Sequence, residues 1–374
     1  MESEKQKIII LELFSGYGST TFALTKAGIE HKVIGYSDIE KCANYIYELN
    51  HGKDIPQLGD ITKIDPNDLE DFDLLTGGFP CTDVSICGLR DLSRGKTILF
   101  FEIIRIAEVK RPKFLLLENV QGLLSHDNGK TMQVVLDELK CIGYHVKWEL
   151  LYSKDHGTPQ NRPRVWFACF RDKEDADKFM FPETEPLMIT VKDLLEDEVD
   201  EKYYLNENQL KKIEEYNIKN KQKGRGFRLE PTEDVSKTIT QHIHKDINDV
   251  PFIADYRYDE GLRPRKDGIS PTLAARKREN DLSGCPIINT ITTGYGRQGR
   301  NKQINKITNR WRRLSPRECF RLQGFFEDQI KFGDLSDSKL YFLAGNGWDI
   351  NVASKIFIQM FKGNQNKQRG LLDF

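Results

Sequence analysis

The chain has 374 residues, 38% of them hydrophobic, with 28 glycines and a net charge of −1, ordinary values for a globular protein with room for two domains. Its longest apolar runs, such as 8–11 and 114–117, are strand-sized and far short of the roughly 20 residues that cross a bilayer. Seven scattered cysteines without a CxxC pair speak against a disulfide framework or a zinc ribbon, so free thiols in a cytoplasmic protein, without membrane or metal, are expected. The charged start running straight into an apolar strand lacks the pattern of a signal peptide, and His242 and His244 stand together without further ligands.

In chain order, 7–13 reads as a strand, 20–27 as a helix and 32–37 as a second strand. A helix follows at 40–49, where Cys42, Tyr45, Ile46 and Leu49 keep a three–four rhythm. Strands are predicted at 72–76, 114–118, 145–151 and 164–170, with helices at 99–109 and 131–141 between them. This alternation predicts an α/β fold, a doubly wound, mixed but mostly parallel sheet with ligands beyond the carboxyl ends of its strands.

From about 188 to 332 the chain is polar and irregular, rich in Gly, Arg and Asn; 339–362 then regains apolar periodicity and predicts a helix. The expected organisation is one domain from 1–188 plus 335–374, and a smaller, irregular one with a hinge from 189–334. Charge divides in a similar way: 221–313 holds 20 Lys and Arg against 11 Asp and Glu, giving +9 and leaving −10 for the rest. Such a region suits a polyanionic partner, and equally a solvated face.

Four segments carry chemistry. In Leu13-Phe14-Ser15-Gly16-Tyr17-Gly18 a strand breaks into a turn before a helix, where glycines admit a ligand to the backbone and the helix start offers free N–H groups. Any tight turn would use the same glycines, and the third glycine of a dinucleotide fingerprint is missing. Asp38, about twenty residues on, is placed to accept ribose hydroxyls or to sit at a helix start as a favourable acid. Thr76-Gly77-Gly78-Phe79-Pro80-Cys81 sets a thiol just beyond a strand on constrained backbone, the position of a nucleophile rather than of a core cysteine. Leu117-Glu118-Asn119-Val120 ends an apolar strand on a carboxyl group, which is either a desolvated proton donor or a salt-bridged acid. Finally, Arg162 and Arg164 lie two apart in Gln160-Asn161-Arg162-Pro163-Arg164, either a shared grip on an anion or an exposed pair.

Together and in this order, these segments resemble the cytosine-5 DNA methyltransferases of bacterial restriction–modification systems. The likeness runs from Ile8 to about Arg171 and resumes from Trp311 to Phe357. The resemblance implies an S-adenosylmethionine site made by Phe14, Ser15, Gly16, Gly18, Asp38, Ile39, Asp60, Ile61, Pro80, Leu99 and Asn346. It implies Cys81 as the nucleophile, Glu118 as the acid, and Arg162 and Arg164 as partners of phosphate, Glu118 or the pyrimidine oxygen. It further implies a mobile loop at 82–97 and a basic, β-rich target recognition domain reading double-stranded DNA. Candidate readers are Gly226, Arg228, 276–278 and the glycine-rich 294–300, with arginine and glutamine suited to guanine and adenine edges.

Three positions depart from the family pattern. Thr82-Asp83-Val84 replaces a glutamine and an aromatic residue, Cys87 stands in the loop, and Gly347-Trp348 follows Asn346 in place of a small hydroxyl or alanine and valine. The expected protein is a monomer that flips its target cytosine out of the duplex and protects DNA from a cognate endonuclease without binding it stably. The rivals are a transfer-RNA cytosine methyltransferase and an inactive DNA-binding regulator.

Overall fold

A computed structural model describes residues 7–80, 99–211, 215, 236–237, 252–257 and 308–369. Six strands form the main sheet: β1 (Ile8–Leu13), β2 (His31–Ser37), β3 (Leu74–Gly78), β4 (Phe114–Val120), β5 (His145–Tyr152) and β7 (Pro163–Phe170). Two short pieces, β6 (Gln160–Asn161) and β8 (Ser236–Lys237), pair in parallel. β9 (Phe252–Arg257) and β10 (Thr308–Arg313) make a separate two-stranded sheet. The helices are α1 (Ser19–Lys26), α2 (Lys41–His51), α3 (Leu99–Lys110), α4 (Lys130–Cys141), α5 (Lys173–Lys178), α6 (Pro316–Arg321), α7 (Asp337–Asn346) and α8 (Ile350–Arg369).

The main sheet runs β2-β1-β3-β4-β7-β5. Its first four strands pair in parallel, and β7 is antiparallel to both neighbours. Burial on both faces explains the unbroken apolar runs of β3 and β4. One face packs Leu11, Leu13, Leu75, Leu115, Leu117, Val165 and Phe167 against Ile103 and Ile106 of α3 and Val135 and Leu139 of α4. Alternation turns Glu12, Thr76, Leu116 and Glu118 to the opposite face, where Phe361 of α8 lies 5.2 Å edge-on to Phe114 and α8 packs on α1. Chain order reverses between β1 and β3, the place where an open α/β sheet forms its ligand crevice.

The mixed, mostly parallel sheet stands as expected, with β3 moved two residues later because its pairing with β1 and β4 runs on through Gly77 and Gly78. The single helix read at 339–362 is two, α7 and α8, broken at Gly347-Trp348-Asp349. Asp349 caps the second, its Oδ1 accepting from the Asn351 and Val352 amides at 2.8 and 3.3 Å.

The chain divides into two compact units, Met1–Ile253 with Arg312–Phe374, and Ala254–Trp311. The first therefore reaches further than 1–188 plus 335–374. Arg312 and Glu318 form a buried two-point pair at 2.7 Å, the Glu196 amide donates to Glu318 at 2.9 Å, and Ser315 with Glu318 makes a capping box on α6. Polar composition concealed these contacts, because the buried groups are charged ones satisfied by each other. In the second unit only the portions of β9 and β10 are described. Among the described residues no helix is long and apolar enough to cross a membrane.

Candidate active site

The turn after β1 is tightly wound: Phe14, Gly16 and Gly18 all have positive φ, at 52°, 55° and 83°. The Ser15 amide donates to the Ser37 carbonyl at 3.1 Å, and the Gly16 amide to Asp38 Oδ2 at 2.9 Å. Asp38 Oδ1 accepts from the Glu40 amide at 2.8 Å, yet burial still pushes the carboxyl above its usual range. Ile39 beside it is 71% exposed, a large apolar surface presented at the crevice. Asp60 uses Oδ1 for the Thr62 amide and hydroxyl, bonds that hold it below the usual carboxylate range, while Ile61 is buried. Ser15 Oγ is buried with no hydrogen-bond partner among the described residues, and a Cβ at Gly16 would meet nothing within 4 Å. An open backbone cradle, an orphaned hydroxyl, a ribose-height carboxyl and an exposed apolar side chain fit an adenosine-bearing ligand with a polar tail.

β3 ends beside this turn, with Leu13 and Gly77 in register. The described segment that follows it ends at Pro80; Cys81 and the loop at 82–97, with Cys87, lie outside the described residues. Asn119 donates from Nδ2 to the Phe79 carbonyl at 2.9 Å and thereby fixes the backbone leading into Cys81. Phe79 itself packs on Phe100 of α3 at 5.1 Å, next to the partly exposed Leu99.

Glu118 is in register with Gly78 on one side and Trp166 on the other. Arg164 lies diagonally across on β7, with Nε 2.7 Å from Glu118 Oε1. Burial pushes the Glu118 carboxyl up, against the opposing pull of Arg164 and then Arg162. The result is a carboxyl group able to hold a proton at the end of its strand.

The two arginines are not an exposed pair. Arg162 is 1% exposed and donates from Nη2 to the Gly345 and Gly347 carbonyls at 3.1 and 2.7 Å. Burial, then Arg164, pushes its guanidinium down to about 9. Of the two partners expected for it, phosphate and Glu118, the carboxyl lies near enough to feel its charge, while its hydrogen bonds hold the α7–α8 junction. Asn346 is exposed at that junction.

Several contacts at the site could not be read from the sequence. The Tyr17 hydroxyl donates to the Trp348 carbonyl at 2.9 Å, and the Trp348 amide to Ser19 Oγ at 3.2 Å. His51 supports the turn from below, its Nε2 3.0 Å from the Tyr17 carbonyl. None of these contacts has a local sequence signal, since each joins segments far apart in the chain.

A family model for the C-5 cytosine-specific DNA methylases matches residues 8–362. The chain belongs to that family. This methylase is 33% identical over 360 residues to the type II methyltransferase M.Bsp6I of Bacillus sp. (strain RFL6), covering 94% of the chain and 98% of the relative. It is 31% identical to the orphan methyltransferase M.SPRI of Bacillus phage SPR, covering 97% and 99% of the two chains. Among solved structures it shares its fold with the S. pombe Dnmt2 methyltransferase at a TM-score of 0.65 and 19% identity, covering 96% of this chain and 99% of that one. The methylase is thus an S-adenosylmethionine-dependent DNA (cytosine-5-)-methyltransferase, as the motifs implied.

Proposed function

We propose that Cys81 and Glu118 open the reaction together on a cytosine flipped out of duplex DNA, in a site completed by Arg164. The observation that carries this reading is Glu118, buried at a strand end with its carboxyl held up by desolvation and 2.7 Å from Arg164. Cytosine carbon 5 is a poor nucleophile until carbon 6 is attacked. The Cys81 thiolate adds to carbon 6 while Glu118 gives its proton to ring nitrogen 3, leaving an enamine nucleophilic at carbon 5. When bound, S-adenosylmethionine would supply the electrophilic methyl group that carbon 5 takes up, its sulfonium leaving as the neutral thioether of S-adenosylhomocysteine. Loss of the carbon 5 proton to solvent then drives cleavage of the carbon 6–sulfur bond, and Glu118 recovers its proton from nitrogen 3.

Phe14, Ser15, Gly16 and Gly18 would cradle the cofactor's amino-acid end, Asp38 its ribose, and Ile39, Asp60 and Ile61 its adenine. Pro80, Leu99 and Asn346 would line the remaining edge. Arg164 would hold the pyrimidine oxygen, with Arg162 behind it fixing the junction it bonds.

The basic 189–334 region is the DNA reader in this proposal, its candidates Gly226, Arg228, 276–278 and 294–300 all outside the described residues. The name of the type II relative M.Bsp6I supports a restriction–modification role, in which the enzyme acts in the cytoplasm as a monomer and shields DNA from an endonuclease it does not stably bind.

Transfer of labelled methyl to mixed-sequence duplex DNA by wild type and Cys81→Ala, with products mapped by bisulfite sequencing, tests the reading. Label at one recurring cytosine, lost in the variant, is expected. Label in transfer RNA and not in DNA, or activity surviving in Cys81→Ala, would overturn it.

A further inference from the structure

Trp348 stands where the family pattern has valine, and its surroundings give it a task. Gly78, Glu118 and Trp166 occupy one rung across β3, β4 and β7, so their side-chain positions face the same side of the sheet. The Trp348 indole covers that rung. It packs edge-on to Trp166 at 5.0 Å and 74°. A Cβ built on Gly78 would lie 2.9 Å from Trp348 Nε1 and 3.4 Å from Glu118 Oε2, so ring and carboxyl flank a single point. The indole is held by its own backbone, through the Tyr17 and Ser19 hydrogen bonds, and is 5% exposed.

We propose that Trp348 is a positioning residue for methyl transfer, a ring that excludes water from Glu118 and favours the protonated form of its carboxyl. The proposal rests on the reading of Glu118 as the acid. Removing water from a carboxyl disfavours its charged form, and burial is the leading influence on Glu118. The charged and titratable groups around Glu118 are Arg164 on β7, Arg162 before it, and Tyr17 in the cofactor turn, with Asp349 beside Arg162. Glu149, on the same rung two strands away, is exposed. The two arginines favour the carboxylate, and burial, to which the Trp348 ring contributes, opposes them. Gly78 then has to be glycine because the cover lies against it.

The test compares wild type with Trp348→Phe, Trp348→Val and Glu118→Gln. The first readout needs no turnover: infrared absorption of protonated carboxyl groups in the cofactor-free protein, with Glu118 assigned by its loss in Glu118→Gln. In Trp348→Val the Glu118 proton is expected to leave about one pH unit lower, and the alkaline limb of kcat/KM to move with it, an approximately tenfold loss on that side. Trp348→Phe, which keeps an aromatic ring over the rung, is expected to shift less in the same direction, and it carries the test if the valine variant does not fold. Unchanged titration in every folded Trp348 variant, whatever happens to the rate, would reduce Trp348 to core filling and overturn the inference. An alkaline limb that persists in Glu118→Gln would instead sink the reading of Glu118, leaving the effect of Trp348 on its titration to be judged from the infrared alone.

Discussion

Arg162 donates to the carbonyls of Gly345 and Gly347 from a single buried nitrogen, tying the strand that carries Arg164 to the break between α7 and α8. A lysine ammonium is more strongly hydrated than a guanidinium and costs more to bury at this site. Arg162→Lys is expected to lose about 3 kcal/mol of stability, as buried acceptors are left underserved. Urea unfolding monitored by circular dichroism checks it; an unchanged midpoint would remove Arg162 from the framework.

Gly18 has φ 83° and nestles against the His51 ring. Gly18→Ala adds both backbone strain and a collision with a side chain that itself supports Tyr17. S-adenosylhomocysteine affinity, measured by calorimetry, is expected to fall at least ~10-fold, the effect of about 1.4 kcal/mol. Affinity equal to wild type would mean the turn does not hold the cofactor.

Asn119 holds the Phe79 carbonyl two residues before Cys81. Asn119→Ala should lower kcat by up to ~100-fold, since small misplacements of a reacting group are that costly, with cofactor affinity unchanged. A loss confined to KM for the cofactor would contradict this assignment.

Glu12 is buried beneath α1, accepting from the Thr21 hydroxyl, and burial pushes its carboxyl up to about 7. Between the unfolded value near ~4.3 and about 7 the native state binds the extra proton, so stability is full at the acid end and falls as pH rises through the folded value. The total change is roughly 4 kcal/mol on the scale of 1.36 kcal/mol per pKa unit. Glu12→Gln should flatten this part of the stability curve, and chemical unfolding at a series of pH values measures it. An equal slope in wild type and variant would place the proton elsewhere.

The +9 region at 221–313 predicts steep salt dependence of DNA binding. Fluorescence anisotropy with a labelled duplex should show affinity falling linearly on logarithmic axes as salt rises. A flat response would remove this region as the DNA face.

The sheet was legible because its strands are apolar runs of the right length and its turns fall at glycines; Leu115, Leu116 and Leu117 needed no tertiary knowledge to be read as a buried strand. Glu118 was legible as a site candidate since a carboxyl ending such a run is conspicuous, whereas its burial and its pairing with Arg164 emerge only in the fold. The depth of Arg162 was hidden because a charged residue in a polar stretch reads as exposed, and its acceptors lie 183 and 185 residues away. Trp348 was visible only as a departure. Its neighbours, Gly78 and Trp166, come from two other strands, and no spacing rule connects them.

The bond between Tyr17 and Trp348 spans 331 residues. Synthesis proceeds from the amino end, so a nascent chain makes its cofactor turn long before it makes the segment that steadies it. Contacts this distant in sequence are also slow to form. A ribosome-bound fragment with every motif through Arg164 would still lack the tryptophan above Glu118 and the carbonyls on Arg162. Methyl transfer therefore has to wait until the segment carrying Gly345, Gly347 and Trp348 has been made and docked, a delay set by the route of the chain and needing no regulator.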